Sequence, residues 1–187
     1  MRGAEDQLIL AVAAGDRVAF GALIGRWRDP IWRFLRAHTP STALAEEALQ
    51  ETFLGVWRGA ATVRDPAAFR PWLYGLARRQ AARATRRRAG EPSTTEPVEA
   101  LGAAAGWGEA RGDTLFRRLE DKDAIGQALA ALTEADREVV WLVDVDELTL
   151  AEAAEALEVT VPAAKSRLHR ARLRFMAALA DGGACAD

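Results

Sequence analysis

The chain has 187 residues, half of them hydrophobic, and a formal net charge of −2. That length suits one or two small domains, and the near-neutral total excludes a simple polycation. A single cysteine, Cys185, and two histidines exclude a disulfide framework and a Cys/His metal cluster. No segment approaches the ~20 apolar residues of a membrane span, and MRGAEDQLIL has no long apolar run, so a soluble cytoplasmic protein without membrane insertion is expected.

Helical periods run along the whole chain and strands are hard to find, which predicts an all-α fold. A first helix is expected from Glu5 to Ala14, ended by Gly15-Asp16. The next carries Phe20, Leu23, Ile24 and Trp27 at i, i+3, i+4 and i+7. Pro30 should kink or break it, with Ile31, Phe34 and Leu35 continuing the stripe to His38. Pro40-Ser41 is a stop and a start, with Ser41 an N-cap. The third helix spans Thr42 to Gly59 and buries Leu49, Phe53, Val56 and Trp57; Glu46, Glu47, Gln50 and Glu51 occupy its other side. That acidic side reads either as solvated or as a docking face for a basic partner. After a loop at Ala60–Ala68 comes a helix from Phe69 to Arg88. Phe69, Trp72, Leu73 and Leu76 give it an apolar side, which makes Trp72 a core residue rather than a base-stacking one. From Arg78 onward it is basic nearly all round, so it should meet solvent or an anion.

Residues 91–118 are acidic, without steady periodicity and rich in Gly, Ala, Pro, Ser and Thr: a flexible acidic linker containing the odd Trp107. Its 28 residues reach at most ~90 Å fully extended, enough to hold two modules on separated sites of one duplex. A second domain starts near Leu119. Ile125, Leu129 and Leu132 mark one helix; Thr133 caps another holding Val139, Val140, Leu142 and Val143.

A helix-turn-helix follows. Thr149 and Glu152 form a capping box for Leu150–Leu157, Ala153, Ala154 and Ala156 allow close packing, and Glu158-Val159-Thr160 is the corner. A basic helix begins near Val161, with Pro162 in its first turn and Leu168, Arg172, Phe175, Met176 and Leu179 on one stripe. In such a motif the second helix enters the major groove by its N-terminal turns. Small Ala163 and Ala164 allow close approach, and Lys165, Ser166, Arg167, His169 and Arg170 are groups that contact phosphates or base edges. An ordinary helical hairpin with a solvated basic face is the bland alternative.

Charge is concentrated. Pro66–Gly90 carries seven arginines and no acid, Val159–Ala180 five cations and no acid, which against a total of −2 leaves −14 for the rest. Two basic islands on an acidic body suggest two contacts with one polyanion and a surface for another protein.

Four stretches, AAGDRVAFGALIGRW, AEEALQETFLGVWR, AFRPWLYGLARRQA and LTEADREVVWLVDVDELTLAEAAEALEVTVPAAKSRLHRAR, stand in the order and spacing found in bacterial RNA polymerase sigma factors of the extracytoplasmic-function (ECF) group, which the chain resembles. The resemblance implies a promoter-specificity subunit with no catalytic residues, metal or cofactor. Residues 1–90 would bind core polymerase and the minus-ten element, residues 119–182 the minus-thirty-five element, and 183–187 form a tail. Glu46, Glu47, Gln50 and Glu51 would dock on the polymerase clamp. The Ala60–Ala68 loop, with Val63 and Arg64, would capture an unstacked base. Arg78, Arg79, Gln80, Arg83, Arg86 and Arg87, with Arg88 beyond them, would hold strands near the melting point. Lys165, Ser166, Arg167, His169 and Arg170 would read the upstream element. An anti-sigma factor partner is also implied.

The departures are Val63, where relatives often carry an aromatic residue, Pro162-Ala163-Ala164 in place of a Gly-Thr-Val-type start, and the loosely fitting Trp141 and DVDEL stretch. A stand-alone DNA-binding regulator is the alternative; it leaves the acidic face and the arginine helix without roles. An enzyme with Asp144, Asp146 and Glu147 as a metal site is a third reading, against which a solvated acidic turn stands.

Overall fold

The computed structural model describes residues 2–87 and 122–183, which leaves residues 88–121, the expected linker among them, outside the described part. Among the described residues all regular structure is helical: α1 (Arg2–Ala13), α2 (Arg17–His38), α3 (Thr42–Gly59), α4 (Phe69–Arg87), α5 (Lys122–Ala130), α6 (Glu134–Val140), α7 (Leu150–Ala156) and α8 (Val161–Gly183).

Local chemistry sets the boundaries. Gly15 sits at φ +88, a left-handed position that favours glycine, and turns the chain between α1 and α2. Asp16 then caps α2 by accepting from the Val18 and Ala19 amides at 2.8 and 3.1 Å. Ser41 caps α3 through the Leu44 amide. Pro30 does not break α2: the helix runs through it to His38. Trp27, Ile31, Phe34 and Leu35 on either side are buried together, and that burial holds the helix through the missing N–H. The Ala60–Ala68 loop is two short 3-10 turns, Ala60–Thr62 and Pro66–Ala68, the second capped by Asp65.

The first half packs α2, α3 and α4 around an aromatic centre. Tyr74 meets Trp27 and Phe34 edge-on at 6.3 and 5.5 Å, and Phe69 meets Trp27 at 6.2 Å. Glu5 ties α1 to α2 by accepting from the Trp27 indole at 3.0 Å and pairing with Arg26 at 3.1 Å. Trp57 and Leu49 are only half-buried; Ala45, Ala48 and Thr52 supply more of the inner face of α3.

In the second half α5, α6 and α7 all pack on α8. Ile125, Leu129, Val139, Val140, Ala153, Ala164, Leu168, Ala171 and Phe175 form its core. Between α6 and α7 the chain makes a π-turn, Trp141–Val145, closed by the Asp146 amide donating to the Trp141 carbonyl at 3.0 Å. The wider turn places Trp141, Leu142, Asp144, Val145 and Asp146 all inside.

The halves are in contact. α4 lies against α7, and Gly75 lets them approach: a Cβ there would sit 3.3 Å from the Ala156 carbonyl oxygen.

Candidate nucleic-acid interface

The helix-turn-helix forms as its caps dictate. Thr149 accepts from the Glu152 amide at 3.2 Å while the Glu152 carboxylate accepts from the Thr149 amide at 2.7 Å. The corner turns at Glu158, whose φ of +57 lies in the left-handed region where glycine is the usual residue. Thr160 caps α8 through the Ala163 amide at 3.3 Å, a cap hidden in sequence by the Val161-Pro162 pair that follows it.

Burial sorts the residues of α8. Lys165, Ser166, His169 and Arg170 are exposed on its first turns; Arg167 is half-buried. Ala163 is exposed, but Ala164 faces the bundle and cannot line a DNA surface. Met176 is 47 % exposed rather than part of the buried stripe, because Ala171 and Phe175 take the inward positions.

The last basic residues of α8 serve the fold. Arg172 pairs with Asp144, Nε to Oδ2 at 3.1 Å, and Arg174 pairs with Asp136. Both carboxylates are buried, and an unpaired buried charge is costly, so these arginines compensate it. The acidic run also separates: Asp144 turns to α8, Asp146 to the first half, and Glu147 stays exposed at φ +55. Among the described residues no group of three His, Cys, Asp or Glu could hold a metal.

In the first half, Glu46 and Gln50 are exposed on α3, with Glu47 and Glu51 half-buried and Leu54 44 % exposed beside them. Glu47 pairs with Arg87 of α4. In the loop, Arg64 is exposed and Val63 is 7 % exposed, so Val63 belongs to the core and offers no surface to a flipped base. Trp72 is half-buried against the core, close to Gly59.

The distal part of α4 is less open than its sequence implies. Ala77, Ala81 and Ala84 are buried as one seam, so the helix packs along one side; a ring of arginines hides three inward-facing alanines. Arg79, Arg83, Arg86 and Arg87 are exposed, Arg78 and Gln80 half-buried; Arg88 lies outside the described residues. Two of these arginines are engaged by the second half. Arg78 Nε donates to Glu138 Oε1 at 2.9 Å, and Arg79 donates to Glu158 at 2.7 Å. Arg70, near the start of the helix, donates to the Asp146 and Glu147 carbonyls. A cleft of about 770 Å³ separates Arg78, Arg79, Arg83 and Arg86 of α4 from Glu134 and Glu138 of α6.

Beneath these pairs lies a buried polar cluster that sequence reading did not find. Burial pushes the Asp146 carboxyl up to about 7, against the opposing pull of Arg33, the Tyr74 hydroxyl and Arg70. The same burial and the nearby Asp146 carboxylate raise the Tyr74 hydroxyl well above its ordinary value. His38 stacks on Phe34 at 4.3 Å, meets Trp141 edge-on at 5.7 Å and donates from Nδ1 to the Phe34 carbonyl at 2.7 Å. Burial lowers its pKa to about 3, and the charges of Arg137 and Arg78 add to that. Burial raises Glu138, against the attraction of Arg78 and Arg167. The sequence flags a different carboxylate: Asp144, set in the otherwise apolar run Val139–Val145, turns to Arg172 of α8, while Asp146 lies just past that run.

Known proteins share both halves. Residues 23–91 match the family model for sigma-70 region 2, and residues 122–175 that for sigma-70, region 4. The ECF RNA polymerase sigma factor SigM of Mycobacterium tuberculosis is 31 % identical over 169 residues, covering 90 % of this chain and 81 % of the relative. SigC of the same species is 29 % identical over 170 residues, covering 91 % and 88 %. Among solved structures, CnrH in complex with the cytosolic domain of CnrY superposes with a TM-score of 0.70 at 23 % identity over 95 % of this chain and 98 % of that one. RpoE of Bartonella quintana, solved with the anti-sigma factor NepR, gives 0.64 at 18 % over 86 % and 96 %. With both sigma-70 regions in order, each on the half where an acidic or basic helix had been placed, and with SigM matched across nine-tenths of the sequence, this chain belongs to the ECF group of bacterial RNA polymerase sigma factors.

Proposed function

We propose that the chain divides its sigma-factor work among three helices. α8 reads the upstream promoter element in the major groove through Lys165, Ser166, His169 and Arg170, with Arg167 at the edge of that surface. α4 holds promoter phosphates near the melted region through Arg78, Arg79, Gln80, Arg83, Arg86 and Arg87, aided by Arg64 in the preceding loop. α3 docks on core polymerase through Glu46, Glu47, Gln50 and Glu51, with exposed Leu54 adding apolar area. The boundary between the modules falls in residues 91–118.

One observation carries this reading. The first turns of α8 expose four base- or phosphate-binding groups in a row, over a buried stripe of Ala164, Leu168, Ala171 and Phe175 that fixes the helix rigidly. A hairpin with a merely solvated basic face would not need the arginines after this row turned back onto Asp144 and Asp136.

The family is one of non-enzymatic initiation factors, and the finer statement that this chain has no catalytic site of its own is part of the proposal. It acts in the cytoplasm with polymerase; among the described residues no helix is long and apolar enough to cross a membrane. An anti-sigma factor of the kind that RpoE of B. quintana binds is a fitting partner, since α4 and α8 offer cationic faces to an acidic inhibitor.

Run-off transcription with purified core polymerase on a genomic promoter library tests the whole reading. Specific start sites are expected, and Glu46→Arg with Glu51→Arg should weaken polymerase capture. No transcripts together with no affinity for core polymerase would overturn it; tight specific duplex binding by the polymerase-free chain would favour a stand-alone regulator instead.

A further inference from the structure

The first turn of α8 presents no side chain able to hydrogen-bond. Val161, Pro162 and Ala163 are all exposed there, Val161 at 45 %. We propose that Ala163 is a specificity-determining residue of the upstream-element site, its methyl group packing on the C5-methyl of a thymine in the major groove. This rests on the assignment of α8 to promoter DNA made above.

The backbone closes the other routes by which a helix start holds DNA. Free amides at a helix N-terminus are ready donors to phosphates and base edges. Pro162 has no amide hydrogen. The Ala163 amide donates to the Thr160 hydroxyl at 3.3 Å, and the Ala164 amide to the Thr160 carbonyl at 2.9 Å. Neither the side chain nor the amide of residue 163 therefore has a hydrogen to offer a base. What remains is apolar contact, and in the major groove the thymine methyl is the apolar feature that distinguishes base pairs.

Position gives this contact its register. Ala163, Ser166 and Arg170 are exposed and stand at i, i+3 and i+7, one row along the helix. Ser166 and Arg170 carry groups that bond base edges, so the alanine holds the N-terminal place in a row of readers. The N-terminal turns are also the part of such a helix that meets the bases. At ~1.5 Å per residue the row from 163 to 170 is about 10.5 Å long, against ~3.4 Å per base pair. The thymine thus lies within about three base steps of the pair that Arg170 reads. The methyl is also held still. Buried Ala164 and the Thr160 cap fix the backbone beneath it, and an alanine has no rotamer freedom to lose on contact. A merely solvated helix start would have no preference among bases.

Deoxyuridine lacks only the thymine methyl, so the parent chain can be tested unaltered. Holoenzyme assembled from the full chain and core polymerase is titrated with a promoter duplex recovered by run-off transcription, each upstream-element thymine being replaced in turn by deoxyuridine. One replacement, within about three steps of the pair whose readout Arg170→Ala relaxes, should weaken binding about fourfold, the weight of one buried methyl-sized group. Ala163→Gly should erase the difference between thymine and deoxyuridine at that place. That ratio is read within each variant, so any loss of helix stability from glycine cancels. Absence of a sensitive thymine within reach, or a penalty of the same size in Ala163→Gly, overturns the proposal. Should Lys165→Ala and Arg170→Ala leave binding of the upstream element untouched, it is the assignment of α8 itself that fails.

Discussion

α4 and α8 look alike as sequence. Each is a long helix with an arginine every few residues and no acid in its basic run, yet the structure uses them in opposite order. α8 keeps its first turns exposed and spends its last arginines, Arg172 and Arg174, on buried carboxylates of its own bundle. α4 has its earlier arginines, Arg70, Arg78 and Arg79, engaged by the other half and exposes the later ones. A count of cations thus identifies a polyanion-binding protein but not the binding face. What selects the face is where the buried acids lie.

The comparison can be broken most forcefully at Phe175, which lies fully buried behind the basic surface of α8. Phe175→Ala should destabilise the second half by ~3–5 kcal/mol, read by urea denaturation. A loss under 1 kcal/mol would mean that α8 is not anchored as described.

Next, Arg170 and Arg172 should separate by function. Arg170→Ala should cost ~1–3 kcal/mol of promoter affinity and relax one base position if it contacts a base edge. Arg172→Ala should leave promoter affinity intact and cost about 1–2 kcal/mol of stability by stranding Asp144, less than a fully buried pair because Arg172 remains 44 % exposed. Equal effects on both readouts would erase the distinction between the front and back of α8.

On α4, Arg83→Ala should weaken binding to all sequences alike and reduce the slope of log affinity against log salt by about 1, since a phosphate contact carries no base information. A sequence-dependent loss would make Arg83 a base reader.

The smallest effect concerns pH. Asp146 in the docked state titrates at about 7, against 3.8 when exposed. Docking therefore takes up a proton, and the stability this adds is present at low pH and lost as pH rises through about 7. From pH 8 to 6.5 docking should tighten about fourfold, followed by fluorescence transfer between labels on the two halves. Below 6.5 His38, held neutral by its docked value of about 3, opposes further tightening. Asp146→Asn should flatten the response; a pH dependence retained in that variant would assign it to another group.

Much of this was legible before any coordinates. The capping box at Thr149, the cap at Thr133, the Phe69-Trp72-Leu73-Leu76 stripe and the order of the four family stretches fixed the helices and the family, because caps and helical periods are local properties of a few neighbouring residues. Continuity of α2 through Pro30, burial of Val63 and Ala164, exposure of Met176, and the capture of Arg70, Arg78 and Arg79 by the second half were decided only in three dimensions. The arginine captures join residues sixty or more positions apart, and the others depend on which side of a helix meets its bundle; neither periodicity nor composition records that. The seam joining Asp146 to Arg33, Tyr74 and Arg70 is the clearest case: its members are scattered over the chain, and only packing brings a carboxyl out of water and so gives it a role.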